Sequence, residues 1–218
     1  MGIEEIQSKT YYKIKLFDHH HKRFCNKFKG MICASVKKNP EKLADLPKQY
    51  DIVEVWGPSF VPLIRLLQKP VILKVADCDL VDENLNVDYI DYDISMDVSV
   101  RPKGAKLIIS YHNPDHTPSL NELHGIVRDM LAMGADICKI VTKAVTVEDN
   151  LIPLRLLAES KTPMIAFCLG EKGRISRIMA PQFGSLISYV PPTADFVTAE
   201  GQIVFDEWMK IQKMLARG

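Results

Sequence analysis

The sequence predicts an α/β protein, a (β/α)8 barrel folded as a single domain. Three observations carry this. Eight short β-rich runs recur along the chain: 31–36, 51–56, 71–76, 88–94, 106–112, 136–141, 163–169 and 185–190. Most are almost wholly apolar, as parallel strands covered on both faces should be. Helical patterns stand between several of them, the alternation of a barrel. An open doubly wound sheet is the rival, but the glycine-rich phosphate fingerprint expected of it is missing.

The elements follow in order. "MICASV" and "DIVEVW" are the first two strands, and "PSFVPLIRLLQK" is the helix after the second. "VILKVA" and "DYIDYDI" are the third and fourth. The connections "DCDLVDENLNV" and "SMDVSVRPKGA" are short and polar, so the helices after strands 3 and 4 are expected to be reduced. After "KLIISYH", the run 119–134 predicts a helix with Ser119 as N-cap, Glu122 in the capping-box position and Gly134 as its stop. "DICKIV" leads into a helix over 146–160 with Thr146 as cap. "PMIAFCL" and "SLISYV" complete the set, and residues 202–217 form a closing amphipathic helix. The barrel is expected to occupy 31–218. Residues 1–30 form an extension on or near its base, as a helical or extended plug or partly disordered.

Composition narrows the function. Charged residues make up 25% of the chain and net charge is +1, so no field drives binding to nucleic acid or an anionic membrane. No apolar run reaches the ~20 residues that span a bilayer. The N-terminus lacks the apolar core of a signal peptide, and Ile6 spoils a myristoylation match. The five cysteines are scattered without a CxxC, which suggests a reducing cytoplasm and no cysteine-metal site. His19, His20 and His21 are consecutive and share no face, so they read as a solvated loop.

One residue resists the apolar pattern. Lys139 interrupts "GADICKIVTKAV", and burying an ammonium group costs several kcal/mol unless it is paired or neutralised. His112 ends the neighbouring fifth strand. Catalytic groups of barrels gather at the carboxyl ends of strands. A desolvated lysine with a lowered pKa can attack a carbonyl, and an adjacent histidine can move the proton. Each also has a plain reading: a lysine snorkelling to the rim, and a histidine capping the turn "NPDHTP". His116 and His124 read as solvated. Arg177 offers a bidentate fork to a carboxylate, or is with Arg174 an ordinary charge at a helix start. Thr198 and Gln202, in "VTAEGQI", offer hydroxyl and amide groups, or simply cap a helix.

Together these stretches resemble the type I 3-dehydroquinate dehydratases. A strand ending in Ser-x-His, a Thr-Pro turn, "GADICKI", "GRISR…FGS" and "TAEGQ" occur in the family's order, most specifically from residue 106 onward. The resemblance implies a (β/α)8 barrel, usually a homodimer, that needs no metal or cofactor. It implies dehydration of 3-dehydroquinate to 3-dehydroshikimate in the shikimate pathway. Lys139 would form the imine, His112 would move the proton, and Arg177 would hold the substrate carboxylate. Thr198 and Gln202 would close over the substrate, and Glu54 would help bind the ring hydroxyls. Thr198 stands where the family has serine and Glu200 where it has proline. Trp56 and Pro58 replace an arginine and an aspartate. Ala76 and Leu80 fall where an arginine and the histidine's supporting glutamate are expected, with Lys74, Asp77 and Asp79 as possible substitutes in space. Lys74 is also a second positive charge that would lower the pKa of Lys139. Two alternatives stand beside this reading: a Schiff-base lyase or aldolase for another keto acid, and a non-catalytic barrel.

Overall fold

A computed structural model of the chain describes residues 30–37, 46, 49–57, 60, 69–76, 81–98 and 100–216. The strands are β1 (Met31–Val36), β2 (Ile52–Trp56), β3 (Val71–Lys74), β4 (Tyr89–Asp93), β5 (Lys106–Asn113), β6 (Ile137–Lys143), β7 (Met164–Leu169) and β8 (Ile187–Tyr189). Each falls on one of the eight expected runs, with ends displaced by a residue or two. All pair in parallel, in the order β7-β6-β5-β4-β3-β2-β1-β8. The seam between the outermost strands is bridged where Leu186 N–H donates to the Met164 carbonyl at 2.9 Å. The result is a nearly closed barrel.

The strands are apolar on both faces because both are covered. Ile52, Ile72, Tyr89, Ile108, Ile137, Ile165 and Ile187 point inward and pack as a plug across the base of the barrel. Val53, Val55, Leu73, Ile90, Ile109, Cys138 and Ile140 point outward into a second core beneath the helices.

Four helices are described: α1 (Leu120–Ala132), α2 (Leu151–Glu159), α3 (Arg174–Met179) and α4 (Phe205–Leu215). Helix α1 starts at the expected capping box: Ser119 Oγ accepts from Glu122 N–H, and the Glu122 carboxylate accepts from Ser119 N–H. It stops at Gly134, whose φ of +85° is open to a residue without Cβ. Thr146 does not cap α2. Instead Asp149 accepts from the backbone N–H groups of Val145 and Thr146, both at 2.7 Å, and a single 3-10 turn (Glu148–Asn150) precedes the helix.

The trimming after β3 and β4 is visible. Residues 81–87 and the described residues of 94–105 form turns without a helix. The expected helix after β2 and the extension over 1–29 lie outside the described residues, as do Pro58, Asp77, Asp79, Leu80 and the three histidines at 19–21.

Leu156, on the inner face of α2, is completely buried in the outer core. Leu156→Ala should therefore lower unfolding stability by about 2–5 kcal/mol. Urea denaturation should show a lower midpoint with an unchanged slope.

Candidate active site

The plug residues define the layer above them. Two residues further along five adjacent strands, on the same inward face, stand Glu54, Lys74, Asp91, Ser110 and Lys139. All five are buried. Lys139 Nζ donates to Asp91 Oδ2 at 2.9 Å and to Glu54 Oε2 at 3.0 Å. Lys74 Nζ donates to Asp91 Oδ1 at 2.8 Å and to Ser110 Oγ at 2.7 Å, and Ser110 Oγ in turn donates to Asp91 Oδ1 at 2.7 Å. Glu54 Oε1 accepts from Ser35 Oγ at 2.8 Å and from Trp56 Nε1 at 3.1 Å. Two lysines and two carboxylates thus balance each other inside the barrel.

This arrangement corrects one expectation. Burial by itself would push the Lys139 ammonium down, but Asp91 and Glu54 outweigh it and hold the group well above its ordinary value. At rest Lys139 is a charged ammonium, not a free amine. Lys74 is not among the main groups that set it, and its own charge is paired directly with Asp91. Burial would likewise push the Asp91 and Glu54 carboxyls up, but the lysine charges and their hydrogen bonds take both below the ordinary range. The Tyr189 ring closes the floor, 4.5 Å from Lys139 Nζ.

One inward step further along β4 and β5 are Asp93 and His112. That step is about 7 Å along a strand, room for a reacting carbon between imidazole and amine. His112 Nδ1 lies 3.1 Å from Asp93 Oδ2. Ser95 fixes the other oxygen of Asp93, through N–H at 3.1 Å and Oγ at 2.7 Å. Burial alone would raise the Asp93 carboxyl, but His112 and Ser95 hold it at about 2. An ionised carboxylate only accepts, so Nδ1 carries the ring proton and Nε2 is the basic nitrogen. The histidine does have a carboxylate support, and it comes from strand 4 rather than strand 3.

Arg177 and Arg174 part company. Arg174 pairs with Glu171 on the surface. Arg177 is buried, with its guanidinium 4.4 Å from the Phe167 ring, and burial pushes it down to about 10. Its Nη2 reaches only the Glu200 carbonyl, at 3.5 Å, and its Nε has no partner among the described residues. The Tyr189 hydroxyl is also buried without one. Such groups cost about 1–3 kcal/mol each when left unsatisfied. A carboxylate bound at Arg177 would satisfy the guanidinium.

The loop after β8 covers this side. Gln202 Oε1 accepts from Thr198 N–H at 2.7 Å, Ala199 N–H at 3.0 Å and Thr198 Oγ1 at 3.3 Å. Thr198 therefore organises the loop and does not cap α4, whose N-cap is Val204. Lys143, at the end of β6, pairs with the Glu200 carboxylate, and Gly170 N–H donates to the Glu200 carbonyl at 3.2 Å. A Cβ on Gly201 would meet the Gly170 carbonyl oxygen at 2.1 Å.

The chain resembles known proteins over much of its length. The profile of the type I 3-dehydroquinase family matches residues 71–217, about two thirds of the chain. The chain belongs to the type I 3-dehydroquinase family. It is 43% identical over 115 residues to the 3-dehydroquinate dehydratase of Pyrococcus abyssi, a match covering 53% of this chain and 52% of the relative. It is 35% identical over 126 residues to that of Coxiella burnetii, covering 56% and 54%. The chain thus spans about half the length of the curated relatives it matches. The barrel superposes on solved 3-dehydroquinate dehydratases from Geobacillus kaustophilus (TM-score 0.70, 21% identity, covering 86% of this chain and 91% of that one) and Clostridium difficile (TM-score 0.70, 22% identity, covering 87% and 93%). At that identity the likeness is one of fold.

Within this member of the family, sequence reading missed Asp91 and Asp93. Their signal was present: "YIDYD" puts two carboxylates two residues apart on one strand face. His116 is exposed in its loop, and His124 pairs with Glu159 at 3.2 Å on the helix surface. Among the described residues no group of three His, Cys, Asp or Glu side chains could hold a metal, and no helix is long and apolar enough to cross a membrane.

Two outcomes follow from this geometry. A carboxyl depressed to about 2 contributes stability that is complete above its unfolded value of about 3.9 and lost as pH falls through 2. Asp93→Asn should flatten that acid limb in urea titrations. Gly201→Ala should strain the 198–202 loop by about 1–3 kcal/mol and lift it from Gly170. Faster proteolytic cleavage there is the readout.

Proposed function

We propose that the chain dehydrates 3-dehydroquinate to 3-dehydroshikimate through an imine on Lys139, a hydro-lyase step of the shikimate pathway. The observation that carries the reading is a lysine buried at the centre of the barrel one layer beneath a carboxylate-held histidine, in a chain of this family. Lys139 attacks the ketone and water leaves to give the iminium. His112 Nε2 takes a proton from the neighbouring carbon and returns it to the departing hydroxyl, so a second water is lost. Hydrolysis of the product imine restores the lysine. Arg177 holds the substrate carboxylate with its fork, and Thr198 and Gln202 keep the covering loop closed.

The reaction needs no metal or cofactor. A homodimer in the cytoplasm is the setting proposed with it. Support for a reducing compartment comes from Cys33, Cys138 and Cys168, which are buried free thiols.

A second reading is imine chemistry on a different keto acid. It is favoured by Trp56, whose indole is tied to Ser35 and Glu54 and lies beneath Lys37 Nζ at 3.8 Å, and by the exposed Ala76 at the end of β3. Recognition of the ring hydroxyls must then differ from the usual pattern, and polar pocket changes alter selectivity steeply.

The test is intact mass after incubation with 3-dehydroquinate and sodium borohydride. A mass gain mapping to the Lys139 peptide, and absent in Lys139→Ala, is expected. His112→Ala should still be trapped, but with the substrate hydroxyl retained, and steady-state turnover should fall about 10²–10⁴-fold. A gain with other keto acids but none with dehydroquinate would favour the second reading. No gain with any would leave a binding barrel.

A further inference from the structure

Imine formation poses a problem that the cluster itself answers. An ammonium is not a nucleophile, so Lys139 must hand on a proton before it can attack. Two acceptors touch it, Glu54 and Asp91, and they are not equivalent. Asp91 also holds the charged Lys74 at 2.8 Å. Protonating Asp91 would leave Lys74 a buried cation without a counter-charge, the costliest state open to the cluster. Besides Lys139, Glu54 accepts among the described residues only from neutral groups, Ser35 Oγ and Trp56 Nε1, and both bond to Oε1. Among the described residues, Oε2 faces Lys139 alone. A proton passing from Lys139 Nζ to Glu54 Oε2 travels along an existing 3.0 Å hydrogen bond. The donors on Oε1 keep their partners, and Lys74 keeps Asp91. The cluster goes from two cations and two anions to one of each and stays neutral throughout.

The other described groups around Glu54 offer no competitor: Ser35 and the protonated Cys33 thiol on β1, the Lys37 cation just past its end, Trp56 on β2 and the protonated Tyr189 phenol on β8.

We propose that Glu54 is the proton acceptor that frees the Lys139 amine, and the acid that returns that proton when the carbinolamine loses water. The proposal rests on the imine reading above. With Glu54 as carboxylic acid, the neutral amine adds to the carbonyl carbon, and the proton on nitrogen moves to the carbonyl oxygen to give a neutral carbinolamine. Glu54 then protonates the hydroxyl, the C–O bond breaks, water departs and the iminium forms beside a Glu54 carboxylate. The sum is ammonium plus ketone giving iminium plus water. Glu54 ends as it began, and its carboxylate then faces the new cation. The role expected from the sequence, holding ring hydroxyls, stays open to Glu54, whose Oε2 has one donor among the described residues and a further lone pair.

The experiment is the rate of borohydride-trapped adduct at Lys139, measured by quenched single turnovers with 3-dehydroquinate and, separately, with glycolaldehyde. Parent, Glu54→Gln, Glu54→Asp and Glu54→Ala are compared. The sign decides. If Glu54 merely stabilises the ammonium, removing its charge favours the neutral amine and speeds trapping. If it carries the proton, Glu54→Gln slows trapping at neutral pH by about 100-fold or more. Glu54→Asp should recover part of the rate, and formate should restore it in Glu54→Ala in proportion to concentration. Trapping at the parent rate or faster in folded Glu54→Gln, or no effect of formate on Glu54→Ala, would overturn the proposal. A parent trapped by glycolaldehyde but not by dehydroquinate refutes the substrate and leaves the role of Glu54 to be read from the aldehyde series. A parent trapped by neither overturns both.

Discussion

Asp91 accepts from two lysines on opposite sides, and the rest of the barrel's polar interior is arranged around that fact. Lys74 on β3 and Lys139 on β6 could not both stay charged there without it. A lone buried ammonium costs several kcal/mol, and two would repel across a medium that screens poorly. Glu54 supplies the second negative charge and brings the sum to zero. The apolar plug beneath excludes water, so these contacts are strong and specific. The same plug sets their height, because each charged residue sits two positions beyond a plug residue on its own strand.

Balance explains why the lysine is held charged rather than neutral. A barrel that kept Lys139 as a free amine would have to leave one of the two carboxylates, Glu54, without a cation. Storing the group as an ammonium between two acceptors keeps it ready at modest cost, since the proton needs to move by only one hydrogen bond. The histidine layer works differently. Asp93 is fixed by Ser95 and stays ionised, so it orients His112 without competing for its proton. Two layers, one neutral in sum and one built around a single oriented base, lie on either side of the space where a substrate carbon would react.

The opposite side of the mouth is closed by backbone as much as by side chains. Glu200, Gly201 and Gly170 bring the loop after β8 against the end of β7. That places the Glu200 carbonyl over the buried Arg177. No carboxylate among the described residues pairs with the Arg177 guanidinium. The connections after β3 and β4 carry no helix among their described residues, and Lys37 lies over the Trp56 ring at the ends of β1 and β2.

The sequence by itself determined the barrel. Apolar runs of strand length, helical repeats between them, and capping signals at Ser119 and Gly134 are local features, and local physics reads them. It also determined that Lys139, His112 and Arg177 were unusual, because a charge in an apolar frame is visible one residue at a time. Only the tertiary structure decided what those charges do. Whether a lysine is lowered by burial or raised by carboxylates depends on side chains 48 and 85 residues away, brought within 3.0 Å by barrel closure. The carboxylate that supports His112 stands not at the end of strand 3, where alignment would put it, but on strand 4. The aspartate there sits 19 residues before the histidine, and parallel pairing with a shared inward face makes them neighbours. Register, not sequence distance, selects such partners, and register is a property of the closed sheet.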